Sequence, residues 1–259
     1  MNIVVLVKQV PDTATERKLD PADSTVDRAA SDGVINELDE YAIEEALLLK
    51  EKHGGEVTIL SAGPDQATDS IRKALSMGAD KAVHLNDAAL HGSDALQTAY
   101  ALAQALGTVE YDLVILGSES TDARTGVVGA ALAEYLGLPQ LTLANKVDID
   151  GTSVRIQRQT DEGYDVVEAT LPAVVSVVEK INEPRYPSFK LIMAAKKKPV
   201  AKLGAADAGI DTARVGLANA TTEVVDFAAA PPRAAGTVVK DEGNGGVQIA
   251  DYLAAKKFL

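Results

Sequence analysis

A chain of 259 residues is long enough to bury a real core, and 46% hydrophobic against 24% charged residues is ordinary for a globular protein in water. A formal charge of -13 argues against general affinity for nucleic acid or an anionic membrane surface, both of which demand a basic face. With no cysteine, disulfides, thiol nucleophiles, thiolate metal sites and cysteine-held iron–sulfur clusters are excluded, so any redox role must use a bound organic cofactor.

The opening Met-Asn-Ile-Val-Val-Leu-Val-Lys has no basic leader followed by a long apolar core, and it does not read as a signal peptide. No run approaches the ~18 apolar residues of a spanning helix, so the expected location is cytoplasmic and not membrane-embedded. Ile3 to Val7 reads instead as a parallel strand covered on both faces. A polar excursion from Pro11 to Ser31 follows. Asn36 suits a helix N-cap, with acidic residues in the first turn where the helix dipole favours them. Ala42, Ile43, Ala46, Leu47 and Leu49 form the apolar face of that helix.

Glu56 to Leu60 is a second strand, and a helix from about Asp65 to Met77 ends at Gly78. Lys81 to Leu85 is a third strand, and Ser93 is placed to cap a helix running to Leu106. Leu113 to Gly117 is a fourth strand, followed by a polar loop and an amphipathic helix from Val127 to Leu136. Strand and helix alternating at this cadence imply right-handed crossovers and a mostly parallel, doubly wound α/β sheet. After Pro139 the period changes. Gln140 to Ile149 and Ser153 to Arg158 flank Asp150-Gly151, a hairpin signal, and Asp161-Glu162-Gly163 turns the chain into Val166 to Leu171. Ala173 to Val178 is a further buried strand.

These elements divide the chain into an α/β domain over 1–181, a loop over 182–198 and an extended C-terminal arm over 199–259. The arm has few large apolar residues, can hardly form a second core, and is expected to lie over a partner or the chain's own body, with a final helix from about Ile249 to Lys257.

The loop from Gly117 to Gly129 is the most informative stretch. Beyond the carboxyl end of a parallel strand, a helix N-terminus offers unpaired N–H groups and roughly half a positive charge, which suits an anion. Asp122 and Thr125 serve either as caps for that helix or as part of such a site. Small residues at the other strand tips, Ala62-Gly63 among them, permit close approach by a nucleotide lying across the sheet edge. Neither Gly-x-x-x-x-Gly-Lys-Ser/Thr nor Gly-x-Gly-x-x-Gly occurs, so nucleotide hydrolysis and a Rossmann dinucleotide site are not announced. His53, His84 and His91 are scattered, no metal spacing or catalytic triad is present, and the carboxylates fall mostly on helix faces expected to be solvated.

Tyr186-Pro-Ser-Phe189-Lys-Leu-Ile192-Met193, ahead of Lys196 to Lys198, stands apart because one of only three phenylalanines lies in a proline-bounded loop. Phe189 either tucks onto the body or projects as an anchor for a partner's pocket.

Several stretches resemble the electron transfer flavoprotein β-subunit (FixA) family, across essentially the whole chain and in the expected order. They are Val7-Lys8-x-Val10-x-Asp12, Gly63-Pro64, Ala74-Leu75-x-Met77-Gly78-Ala79-Asp80, the loop from Asp122 to Gly129, Leu171-Pro-Ala-Val-Val175 and Asn182-Glu-Pro-Arg-Tyr186 with Ile192-Met193 and Ala195 to Lys198. Glu162 and Val166 depart from the family pattern. The resemblance implies an adenine-nucleotide α-hydrolase-like sheet, no catalysis of its own, and a heterodimer with an α subunit that holds most of one redox-active FAD. It implies an AMP on this chain, contacted by Leu6, by Asn36, Glu37, Leu38 and Asp39, by Ala62, and by Asp122, Ala123, Arg124, Thr125, Gly126, Val127, Val128, Gly129 and Ala130.

It further implies that the loop docks on flavoprotein dehydrogenases, such as the acyl-CoA dehydrogenases of fatty acid oxidation, through Tyr186, Phe189, Ile192 and Met193. Phe189 takes the anchor position that is usually leucine. Electrons would pass on to a quinone oxidoreductase. Two alternatives share the sheet: an adenine-nucleotide enzyme or sensor, against which stands the single basic residue Arg124 in the loop, and a bifurcating variant with a second FAD in place of AMP.

Overall fold

β1 (Asn2–Leu6) lies at the centre of the fold, and its alternate residues supply two cores. In the computed structural model, which describes residues 1–233 and 235–259, Ile3 and Val5 point to one face of the sheet and Val4 and Leu6 to the other. Burial on both faces explains the unbroken apolar run, each such side chain contributing about 1.5–3 kcal/mol.

β1 pairs in parallel with β4 (Glu56–Ala62), and β4 with β5 (Lys81–Leu85). On its other edge β1 pairs with β6 (Leu113–Gly117), which pairs with β10 (Ala173–Val177). The helices α1 (Glu37–His53) and α2 (Thr68–Met77) supply Ile43, Leu47, Ile71 and Leu75 to the Ile3 face. On the Val4 face, α3 (Ala95–Leu106) and α4 (Val128–Leu136) supply Leu102, Leu106 and Leu132. Chain order reverses direction at β1, so the gap between the carboxyl ends of β1 and β6 is a topological switch point.

β7 (Gln140–Asp150) joins β10 in parallel and opens the expected meander through β8 (Ser153–Thr160) and β9 (Gly163–Thr170), both antiparallel. Val147, Ile149, Val154 and Ile156 turn inward from it to join the Ile3-face core.

Four features differ from the sequence reading. Gln9–Pro11 (β2) and Gly33–Ile35 (β3) pair as a small antiparallel ribbon that closes the polar excursion. Asp94, not Ser93, caps α3: its carboxylate accepts from Gln97 N while the Gln97 side chain accepts from Asp94 N, and the Ser93 hydroxyl accepts from Gly216 N instead. Val200–Leu203 (β11) adds a parallel edge strand beside β5, and Ala205, Ala208, Ile210 and Val215 enter the Val4-face core. The compact body therefore runs from Met1 to Val224, and the separate unit is shorter than the expected arm, Val225–Leu259. That unit carries extended chain and α6 (Gly245–Ala255), which starts before the expected Ile249. No helix among the described residues is long and apolar enough to cross a membrane.

Candidate functional site

Three polar ties gather the residues around the switch point. Asn36 is the N-cap of α1, but its side chain accepts from no backbone N–H of the first turn; its amide donates to Asp39 Oδ1 and Glu119 O, both at 3.0 Å, and its carbonyl oxygen accepts from Thr121 N at 3.0 Å. Asp39 Oδ2 accepts from Lys8 N at 2.8 Å, just beyond β1. Lys8 Nζ reaches across to Asp122 Oδ1 at 2.7 Å and Ser120 Oγ at 3.3 Å. The first turn of α1, the end of β1 and the loop after β6 are thus one hydrogen-bonded unit.

Gly117 at the tip of β6 is required by this crowding. A Cβ there would lie 2.6 Å from Asp39 Oδ1 and 2.8 Å from Leu38 Cβ. Burial pushes the Asp39 carboxyl up to about 7 despite the N–H donors of Lys8, Asn36 and Gly117. Asp122 goes the other way: burial raises it, but the Lys8 ammonium and the hydrogen bonds of Lys8, Ser120 and Ala123 outweigh that and hold it below the usual carboxylate range.

Asp122 and Thr125 do not cap α4. Its N-cap is Val127, and no side chain bonds the first turn, so the opening N–H groups of this helix remain free for an external acceptor. The chain turns into it with Arg124 and Gly126 at φ 51° and 64°. Ala123 to Val127 are exposed, while Gly129 is buried against Leu116. Thr121 Oγ1 is buried in the same loop with no hydrogen-bond partner among the described residues. Free helix donors, an orphaned hydroxyl and the Arg124 guanidinium, whose nearest carboxylate is Glu119 at 3.7 Å, fit an anionic group such as a nucleotide phosphate.

Of the residues named from sequence, Asn36, Asp39 and Asp122 are therefore brought together, and the tips Leu6 and Ala62 lie in adjacent parallel strands. Leu6 is buried, Glu37 is exposed and Leu38 packs toward Gly117. Lys8, Ser120 and Thr121 were not legible as site residues. A lone lysine one residue past a strand carries no pattern, and its role appears only when the fold sets it opposite Asp122.

The loop over 182–198 has the opposite character. Tyr186 is 98% and Phe189 78% exposed, with Ile192 and Met193 about half exposed, so Phe189 projects and does not tuck onto the body. Phe189 opens a short helix, α5 (Phe189–Ala195), capped by Ser188 through Leu191 N. The loop's roots are polar and half-buried. Asn182 donates to Tyr41 O and Glu45 Oε2, Arg72 Nη1 donates to Ala195 O and Lys198 O, and Lys198 Nζ donates to Leu75 O and Ala79 O. Glu44 and Glu45 are 5% and 7% exposed, so these carboxylates of α1 are not on a solvated face. Burial raises Glu45, with the Asn182 hydrogen bond opposing, and burial lowers Lys198. A cavity of about 610 Å³ lies under this loop against α2, floored by Met77 and Ala195 and away from the strand ends.

Fold and crevice together define a doubly wound α/β protein, a class whose ligands sit at this switch point. The family model for the electron transfer flavoprotein domain matches residues 23–208. The chain is 58% identical to an electron transfer flavoprotein subunit beta of Mycobacterium tuberculosis, with all of this chain and 99% of the relative covered. It is 41% identical to the subunit of that name from Megasphaera elsdenii (99% and 97% covered), and 39% identical to Protein FixA of Azorhizobium caulinodans (100% and 94%). The chain belongs to the electron transfer flavoprotein β-subunit family.

Proposed function

We propose that this chain is the β half of a cytoplasmic heterodimer that accepts electrons from flavoprotein dehydrogenases, acyl-CoA dehydrogenases among them, and passes them to a quinone oxidoreductase. An FAD held mainly by the α subunit supplies the reversible one- and two-electron chemistry. In this reading the chain itself contributes binding surfaces and no bond-making group. The chain's own nucleotide is a structural AMP. The N–H groups that open α4, with Thr121 and Arg124 alongside, would hold its phosphate, and Leu6, Ala62 and the first turn of α1 would hold its nucleoside. The unit Val225–Leu259, whose Val247, Ile249, Tyr252 and Phe258 are exposed, covers the α subunit.

The observation that carries this reading is the uncapped start of α4 at the switch point, in a chain whose whole length aligns with electron transfer flavoprotein β subunits. Co-expression with the α subunit and anaerobic mixing with an acyl-CoA dehydrogenase and butyryl-CoA tests it. Bleaching of the heterodimer's flavin absorbance is expected at catalytic dehydrogenase concentration; a colourless chain that hydrolyses ATP alone would point to the adenine-nucleotide enzyme instead.

A further inference from the structure

Beside the ties of Asn182, Arg72 and Lys198, the segment that carries Tyr186 and Phe189 has a guanidinium clamp at its start. Arg185 Nε and Nη2 donate to the two oxygens of Glu44 at 2.7 and 2.8 Å, its backbone N donates to Glu44 Oε2 at 3.1 Å, and Nη1 donates to Glu51 Oε1 at 2.6 Å. The Glu44 side chain is 6% exposed and Arg185 31%, so the carboxylate end of this fork-to-fork pair is shielded from water and its geometry is specific. The hydrogen bonds from Glu44 and Glu51 drive the Arg185 pKa above its already high ordinary value.

Tyr186 follows Arg185 directly, and Phe189 is three residues beyond that. The most exposed aromatic side chains of the body therefore lie one and four positions along the chain from the fork. Glu44 sits on α1, whose first turn carries Asp39 of the switch-point unit. We infer that Arg185, clamped on Glu44, is the positioning residue of the docking segment: it fixes where Tyr186 and Phe189 stand above the body, so that a partner meets a preformed anchor and does not have to order a loose loop. Preorganisation of this kind lowers the cost of association without touching the electron-transfer step. The inference rests on the reading that residues 182–198 dock dehydrogenases.

The experiment uses the intact heterodimer with three single substitutions, Arg185→Lys, Glu51→Gln and Phe189→Ala, and two readouts. Arg185→Lys keeps the charge and removes the fork. It is expected to speed limited tryptic cleavage at Lys190, Lys196 and Lys197 and to raise the KM of an acyl-CoA dehydrogenase for the heterodimer by about tenfold, at unchanged kcat and FAD content. Glu51→Gln, which loses only the exposed arm of the clamp, is expected to stay within about twofold on both readouts. Unchanged cleavage in Arg185→Lys overturns the clamp. Faster cleavage with unchanged KM overturns its positioning role, provided Phe189→Ala raises KM. A KM that neither Arg185→Lys nor Phe189→Ala moves removes the docking reading itself. Should Arg185→Lys fail to assemble, Glu44→Gln, which leaves a neutral group under the guanidinium, carries the same expectations.

Discussion

The loop over 117–130 and the segment over 182–198 are both fastened to α1, and they present opposite surfaces. The first buries its side chains in mutual ties, Asn36 with Thr121 and Lys8 with Asp122, and leaves backbone donors open at the start of α4. The second ties its polar roots, Arg185 and Asn182, to the buried carboxylates Glu44 and Glu45 and leaves aromatic and aliphatic side chains open. What each region leaves unsatisfied states what it can receive: an anion in one case, an apolar protein surface in the other. One helix holding both means that the two sites share a frame while differing in chemistry.

The sharpest way to break the first region is Gly117→Ala. The added methyl meets the Asp39 carboxylate and the Leu38 backbone, so a loss of about 3 kcal/mol is expected, with nucleotide lost from the purified heterodimer. Thermal melting and acid-released nucleotide check both. Lys8→Met leaves Asp122, 3% exposed, without its partner. Because Lys8 itself is partly in water, about 2 kcal/mol is expected, less than for a fully buried pair.

The third test uses pH. Asp39 has its folded-state pKa raised to about 7, so its contribution is fully present below the unfolded value and is lost as pH rises toward 7. A falling slope of at most about 1.4 kcal/mol per pH unit is expected over that window, and Asp39→Asn should flatten it. Asp122 has the opposite sign: its depressed pKa gives stability present above the unfolded value and lost on acidification, so the two separate above about pH 5. Denaturant titrations across that range read the slope directly. The smallest effect on stability is expected in the second region. Phe189→Ala should change melting by no more than about 0.5 kcal/mol because the side chain touches little of the body, yet it should weaken dehydrogenase coupling at full FAD content.

Legibility followed periodicity. β1, β4, β6 and β10 were readable because burial on both faces leaves mostly apolar residues, and the meander was readable from Asp150-Gly151 and its flanking alternation. β11 escaped because four residues reading Val-Ala-Lys-Leu, half exposed on a sheet edge, carry no pattern of their own; β5 supplies the partner. In the site, the free start of α4 followed from its place after a strand, but Lys8 and Thr121 came from tertiary contacts between distant segments. The burial of Glu44 and Glu45 was not legible for a related reason. Their positions on α1 look solvated until Arg185 and Asn182, more than a hundred residues on, fold over them.

The division between an anion seat and an apolar docking segment is tested most directly by the nucleotides released from the purified heterodimer. The account predicts one AMP and one FAD. It also predicts that Gly126→Glu, which sets a carboxylate beside the α4 donors, loses AMP while Gly126→Ala, sharing the same strained φ of 64°, retains it. Two FAD and no AMP, or AMP retained equally by both variants, would contradict it.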